Sequence, residues 1–214
     1  MLEAESLVGK SRHSNSSSTS SSPFDREAQY RAKRAAVIRS AAGAFRRRGY
    51  HNTSMTDIAK SLGLSKAALY YYVKSKEEIL YECHMLIYAA MEEAVKSVRG
   101  VGVNGLDRLK ALYEAFVDLL TRDGLALLAD VDSLKGENQT AVLKRRAGIE
   151  RAVTRIVRAG MKDGSIRKAD ARLHVYFFMG ALNWLNVWYQ PDGRLSGSVI
   201  CEHFVRQMAD GIAA

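Results

Sequence analysis

Lys66, Ala67, Tyr70 and Tyr71 are the residues whose types and spacing can do chemistry in this chain. Leu69 and Val73 lie four apart and face one way on a short helix, so these four face the other way. Ammonium and phenol groups at that spacing hydrogen-bond to phosphate oxygens and base edges, and an alanine methyl fits against a thymine methyl. Tyr72 extends the row to three adjacent tyrosines, and exposed tyrosine on a lone surface helix needs a partner. Patterns for catalysis are absent. His13, His51, His84, His174 and His203 are scattered, with no pair at metal-ligand spacing. The chain has no G-x-S-x-G elbow and no Walker loop. Asp130 and Asp132 are two apart and do not share a helix face. The reading is therefore no catalytic residue, no metal, no cofactor and no enzyme.

The elements around those residues follow from local signals. Ser54 caps a helix with Asp57 at the third helical position, a variant of the capping box. Ile58, Ala59 and Leu62 share one face of that helix, and Gly63 ends it with a positive φ. Ser65 caps the next helix. Ser75, with Glu78 three residues on, opens another through a capping box. Two short helices joined by a tight turn, the second with a polar outer face, make a helix-turn-helix that inserts its second helix into DNA.

From about Arg31 to Met91 the chain resembles the DNA-binding domain of TetR-family transcriptional regulators. The resemblance is carried by Phe45-Arg-Arg-Arg-Gly49-Tyr50, Thr53-Ser54 with Ile58-Ala59, Gly63-Leu64-Ser65 with Leu69-Tyr70-Tyr71-Tyr72, and Ser75-Lys76-Glu77 with Leu80. Val73 stands where the family usually has Phe. The resemblance implies DNA contacts from Thr53, Ser54, Thr56, Ser65, Lys66, Ala67, Tyr70, Tyr71, Tyr72 and Lys76. Within that set, Tyr70 and Lys76 would hold phosphates, while Lys66, Ala67 and Tyr71 would reach base edges. It also implies a homodimer on a double-stranded palindromic operator, with a ligand-binding domain behind it.

Charge agrees. Residues 1–75 hold 13 basic and 5 acidic residues, net +8, whereas residues 76–214 hold 19 and 18, net +1. A basic module joined to a near-neutral one is the electrostatic footprint of a phosphate binder. With 47% hydrophobic residues and two prolines, and helical periodicity nearly throughout, the fold class is all-α: an N-terminal three-helix helix-turn-helix domain plus a C-terminal helical ligand-binding and dimerisation domain. The boundaries read as a Ser-rich tail over 1–24, the DNA-binding domain over 25–75 and the second domain over 76–214. Positions 11–22 hold eight serines and no apolar side chain, too little to offset ordering entropy. Cys83 and Cys201 are too far apart to suggest a disulfide framework. Without a signal peptide or a span of ~20 apolar residues, the expected site of action is the cytoplasm, with no membrane partner. Gly100-Val-Gly102-Val-Asn-Gly105 matches G-x-G-x-x-G, but it follows a helical pattern instead of a strand and reads as an interhelical loop.

The remainder reads as helices over about 26–48, 76–98, 106–121, 125–132, 139–163, 170–189 and 196–212. In the fifth of these, Leu143, Ile149, Val153, Ile156, Val157 and Met161 are expected inward. From Val175 the sixth is apolar nearly all round, so one side faces the core and the other a second subunit. Leu185, Trp188 and Phe204 are the expected dimer residues. Trp188-Tyr189-Gln190-Pro191-Asp192-Gly193 is similar to a signature in a TetR subgroup that senses coenzyme A thioesters in lipid and aromatic catabolism. That similarity implies a small apolar effector, an acyl-CoA, among Tyr113, Phe116, Phe177, Trp184 and Trp188, with Arg145, Arg146 and Arg151 available for its phosphates. The alternatives are a multidrug or aromatic-compound sensor controlling an efflux gene, and an all-α ligand carrier or enzyme without DNA function.

Overall fold

The computed structural model describes residues 23–121, 125, 128 and 130–213. The Ser-rich tail and most of the helix expected over 125–132 lie outside the described residues; the described end of that segment is a turn of 3-10 helix, Asp130–Ser133. Among the described residues the chain forms eight α-helices: α1 Pro23–Arg48, α2 Met55–Ser61, α3 Lys66–Tyr72, α4 Lys76–Ser97, α5 Gly105–Thr121, α6 Gly136–Asp163, α7 Ala171–Trp188 and α8 Gly197–Ile212. The described residues hold no strand, only one isolated bridge between Ile166 and Ala213.

Caps set the helix ends. Ser54 and Asp57 form the reciprocal box: the Asp57 N–H donates to Ser54 Oγ at 3.2 Å, and the Ser54 N–H donates to Asp57 Oδ2 at 2.9 Å. Gly63, at φ +64°, closes α2; its N–H reaches Lys60 O and the Leu64 N–H reaches Ala59 O, the paired bonds of a Schellman end. Ser65, Ser75, Asp170 and Ser196 cap α3, α4, α7 and α8. At α4 the expected box is only half made. Ser75 accepts from the Glu78 N–H, but Glu78 takes the Lys74 N–H on one oxygen and Arg34 of α1 on the other. The stronger charge-assisted partner wins the carboxylate.

α1 buries Val37, Ile38, Ala41, Ala42 and Phe45 against α2, α3 and α4. α4 then runs on into the second helical layer, where α5, α6, α7 and α8 pack together. One apolar core is continuous from Val37 to Ile212 through Ile79, Leu80, Ile87 and Met91 of α4. The Arg34 guanidinium clamps α1 to α4 by bridging Glu78 and Glu82 at 2.9 and 2.8 Å.

The glycine-rich stretch has its own structural job. Gly105 opens α5 where it crosses α6 so closely that a Cβ there would lie 2.3 Å from the Gly160 backbone. The first N–H groups of α5 are already satisfied: Gly105 donates to Asp163, Leu106 to Ser165 Oγ and Asp107 to Asn104. No donors are left at that helix start for a pyrophosphate. Leu143, expected inward on α6, is exposed, because the inner stripe there is carried by Val142, Ile149, Val153 and Val157.

Candidate functional site

α3 is held from behind and open in front. Leu69 and Val73 are buried against Ile58 and Ala59 of α2 and the α1 core. Lys66, Ala67 and the Tyr70 and Tyr71 rings stand outward, Tyr71 70% exposed. α1 fixes the end of this helix through Tyr30, a residue outside the helix-turn-helix motif. Its ring stacks on Tyr72 at 5.5 Å and meets Tyr71 edge-on at 5.4 Å, and its hydroxyl donates to the Tyr71 carbonyl at 3.5 Å. Tyr71 and Tyr72 are therefore pre-set rather than free to turn, which lowers the ordering cost of any contact they make. Periodicity alone could not pair Tyr30 with Tyr71, forty-one residues away.

The other expected contact residues divide into two sets. Ser54, Thr56 and Ser65 are exposed at the two helix starts, beside the outer face of α3. Thr53 is not among them. It is 1% exposed, and its hydroxyl donates to the Gly49 carbonyl at 2.8 Å, closing the turn between α1 and α2. A buried hydroxyl must find such a partner, and here the partner is backbone. Lys76 sits half-buried at the start of α4. Its ammonium donates to the Tyr50 carbonyl at 2.9 Å and lies 4.2 Å from the Tyr50 ring centre. It thus braces the turn that carries Tyr50 to Thr53, and only part of its donor capacity points out. Burial, followed by the nearby carboxylates Glu77 and Asp130, raises the Tyr50 phenol above its ordinary value, so Tyr50 stays neutral.

The second layer departs from expectation in one instructive respect. Tyr113 and Phe116 are fully buried on α5 and close on Phe178, at 4.8 and 5.9 Å between ring centres. Phe177 and Trp184 do not join them: they are 58% and 63% exposed on the opposite side of α7. The five aromatic residues named above as an effector pocket are therefore not one pocket. Leu185, expected at a subunit contact, is likewise reversed; at 1% exposure it points into the protomer core. The outward stripe is Leu173, Tyr176, Phe177, Trp184 and Val187, continued by Val199 of α8. A helix apolar on all sides hides which side is which, because its periodicity gives no contrast. Trp188 and Phe204 lie at the edge of this face, half-buried, with ring centres 6.3 Å apart.

The Trp188–Gly193 signature forms the corner between α7 and α8. Tyr189 is buried and ends α7 through its N–H to the Leu185 carbonyl. Gly193 donates to Gln190 O at 2.9 Å in a turn where a Cβ would meet that oxygen. Burial, then the neighbouring Arg47 charge, holds the Arg46 guanidinium below its ordinary value where α1 comes close to Tyr189. This corner therefore joins the second layer to the last turn of α1. A further join is made by His51 Nε2 with Ser133 Oγ at 3.1 Å, and by the Lys135 N–H with Glu77 at 3.1 Å.

Arg145 is committed to Glu92 at 3.0 Å, while Arg146 and Arg151 are exposed. Among the described residues no cluster of His, Cys, Asp and Glu could hold a metal, and no helix is long and apolar enough to cross a membrane.

The order of these elements matches known sequences. Residues 37–83 match the model of bacterial regulatory proteins of the tetR family, and residues 102–212 match that of the tetracyclin repressor-like C-terminal domain. The chain belongs to the TetR family. Its helix-turn-helix is α2–α3, and α5 to α8 form its C-terminal helical domain. The HTH-type transcriptional repressor KstR2 of Rhodococcus jostii is 25% identical over 201 residues, covering 90% of this TetR-family chain and 97% of that protein. The HTH-type transcriptional regulator TtgR of Pseudomonas putida is 27% identical over 168 residues, covering 71% and 80%. The structure of AibR in complex with isovaleryl coenzyme A and operator DNA superposes with a TM-score of 0.70 at 28% identity, covering 82% of this chain and 97% of that one.

Proposed function

We propose that this TetR-family regulator is a homodimeric repressor that binds a palindromic operator through α3 and releases it when a small apolar effector, an acyl or aryl coenzyme A thioester, occupies the C-terminal domain. Residues 25–75 serve as the DNA-binding part and 76–214 as the effector and dimerisation part. The observation that carries the reading is the outer face of α3: Lys66, Ala67, Tyr70 and Tyr71 exposed on a helix whose other side is locked into α1 and α2. Lys66, Ala67 and Tyr71 are assigned to base edges, and Tyr70 to phosphate, with Ser54, Thr56, Ser65 and Lys76 flanking them.

Dimerisation follows from the exposed apolar stripe on α7 and α8. Several large apolar side chains left exposed on one helix face mark an interface, and two-fold half-sites require two recognition helices. The thioester assignment is supported by the Trp188–Gly193 signature and by the relative that carries isovaleryl coenzyme A. An effector releases DNA only by its differential affinity for the two states of the dimer. The contacts of His51, Lys135 and Tyr189 between the two layers are the places such a shift would cross.

The test is selection of bound fragments from genomic DNA, followed by anisotropy titration of the recovered operator against a panel of thioesters, free acids and aromatic drugs. Release by a thioester supports the proposal. Release only by an aromatic drug-like compound would replace it with the multidrug-sensor reading, and no selectable operator would remove the DNA function altogether.

A further inference from the structure

At the end of the molecule remote from α3, the end of α4 with the 3-10 turn after it (Val98–Gly100), the start of α5 and the second half of α6 enclose an open cleft of about 330 Å³. Its floor is apolar, made by Val98, Ala152 and Ile156, and its rim carries the three guanidinium groups of Arg99, Arg108 and Arg155. The volume lies at the lower end of the range, roughly 300–1,000 Å³, that small-molecule sites occupy. An apolar floor under converging cations is the wrong lining for a neutral ligand and a good one for an anion with an apolar body.

The charges on that rim are only partly answered from within the described chain. Arg108 donates to Asn104 O at 3.2 Å and stands 3.9 Å from Asp163. Asp163 itself is held below its ordinary carboxylate range chiefly by the Ser165 hydroxyl, and it also accepts the Gly105 N–H. Arg99 and Arg155 make no ion pair among the described residues and are exposed. Arg155 also belongs to a basic stripe along α6: Lys144, Arg151, Arg155, Arg158 and Lys162 recur at spacings of seven, four, three and four residues, all on one helix face. The chain from residue 76 onward is near neutral as a whole, so this concentration is local.

We propose that this cleft binds an amphipathic anion, its acyl or aryl part lying on Val98, Ala152 and Ile156 and its carboxylate or phosphate on Arg99 and Arg155. Arg108 supplies the third donor, pre-positioned by Asn104 and Asp163. The further claim that occupancy loosens DNA rests on the repressor reading above; the binding itself does not.

Calorimetry on the full chain separates the sources of the anion. Dodecanoate, butyryl coenzyme A and free coenzyme A are titrated into the wild type and into Arg99→Ala, Arg155→Ala and Arg151→Ala, with thermal melts to verify folding. The expected result is that an acyl-bearing anion binds the wild type, that Arg99→Ala and Arg155→Ala each weaken it roughly tenfold, the loss of one charge-assisted contact, and that Arg151→Ala, on the stripe but off the cleft, leaves it unchanged. Binding of dodecanoate identifies a carboxylate head group, and binding of butyryl coenzyme A alone identifies phosphate. Failure of all three anions to bind the wild type overturns the site, and so does equal weakening by Arg151→Ala, which would mark a diffuse charge effect. Ala159→Phe, narrowing the cleft from its rim, should weaken the acyl anions without unfolding the protein; unchanged binding there also overturns it. Anisotropy with the selected operator is run in parallel. Ligand binding without DNA binding removes the repressor reading and leaves the site, whereas DNA binding without any anion does the reverse.

Discussion

α3 and α7 both present aromatic rings to the outside, yet they are built for different partners. On α3 the exposed rings, Tyr70 and Tyr71, carry hydroxyls and share a face with Lys66, and Tyr71 is held by Tyr30 on another helix. On α7 the exposed side chains of Leu173, Tyr176, Phe177, Trp184 and Val187 make a mostly apolar stripe, with Tyr176 its one hydroxyl and Arg172 at its margin. The first face can donate and accept hydrogen bonds to a polar, charged partner. The second gains chiefly from removal of water, at about 25 cal/mol per Å² of apolar surface. An exposed aromatic is thus informative only together with its polar handle and its neighbours.

Breaking the α7 side of that contrast should produce the largest effects, and adjacent residues should behave oppositely. Leu185→Glu places a carboxylate in the core and should cost more than ~4 kcal/mol, read as loss of the cooperative melt. Trp184→Glu, one residue away and exposed, should leave the protomer melt in place and yield monomers in sedimentation. A wild-type monomer at micromolar concentration that still binds operator tightly would end the assignment of this face.

α4, which joins the two regions, offers a control by pH. His84 is buried with neither ring nitrogen hydrogen-bonded among the described residues, and burial, with the Arg146 charge second, lowers its pKa from 6.5 to about 4. Its folded pKa lies below its unfolded one, so the neutral ring's contribution is fully present above pH 6.5 and is lost as pH falls from there towards 4. A shift of that size corresponds to roughly 3 kcal/mol. His84→Leu should flatten the acid limb of the stability curve in chemical denaturation; an unchanged acid limb would show that the ring is solvated or paired.

On the α3 side, Tyr71→Ala should lose ~1–3 kcal/mol of discrimination at one base pair while leaving non-specific binding intact. Lys76→Ala should weaken all sequences alike and reduce the salt slope by about one unit. Because Lys76 also braces Tyr50, it should lower the melting temperature slightly. Smallest of all, Thr53→Val should cost about 1 kcal/mol of stability through the lost bond to Gly49, with sequence preference unaltered. A change in base preference in that variant would restore Thr53 to the DNA face.

The helix-turn-helix was legible because its signals are local. Ser54 with Asp57, Gly63, Ser65 and Ser75 lie within a few residues of the backbone groups they satisfy, so their spacing alone predicts the caps. The inner stripe of α6 was legible in part: Ile149, Val153 and Val157 are buried as their helical spacing predicts, while Leu143 is exposed. Thr53 escaped this reasoning because a threonine beside a helix start is equally at home donating inward or outward, and only the Gly49 carbonyl chooses.

What the sequence alone determined is the all-α class, the recognition helix and its outward Lys66, Ala67, Tyr70 and Tyr71, and the basic bias of the first 75 residues. Which side of α7 is inside was set by packing alone. Its apolar residues run round the whole helix, so the choice between Leu185 and Trp184 falls to its packing against α6, α5 and α1. The same holds for the cleft of Arg99, Arg108 and Arg155. Those arginines come from three helical segments whose convergence depends on the Gly105–Gly160 crossing, a contact between positions far apart in the chain that no local period encodes.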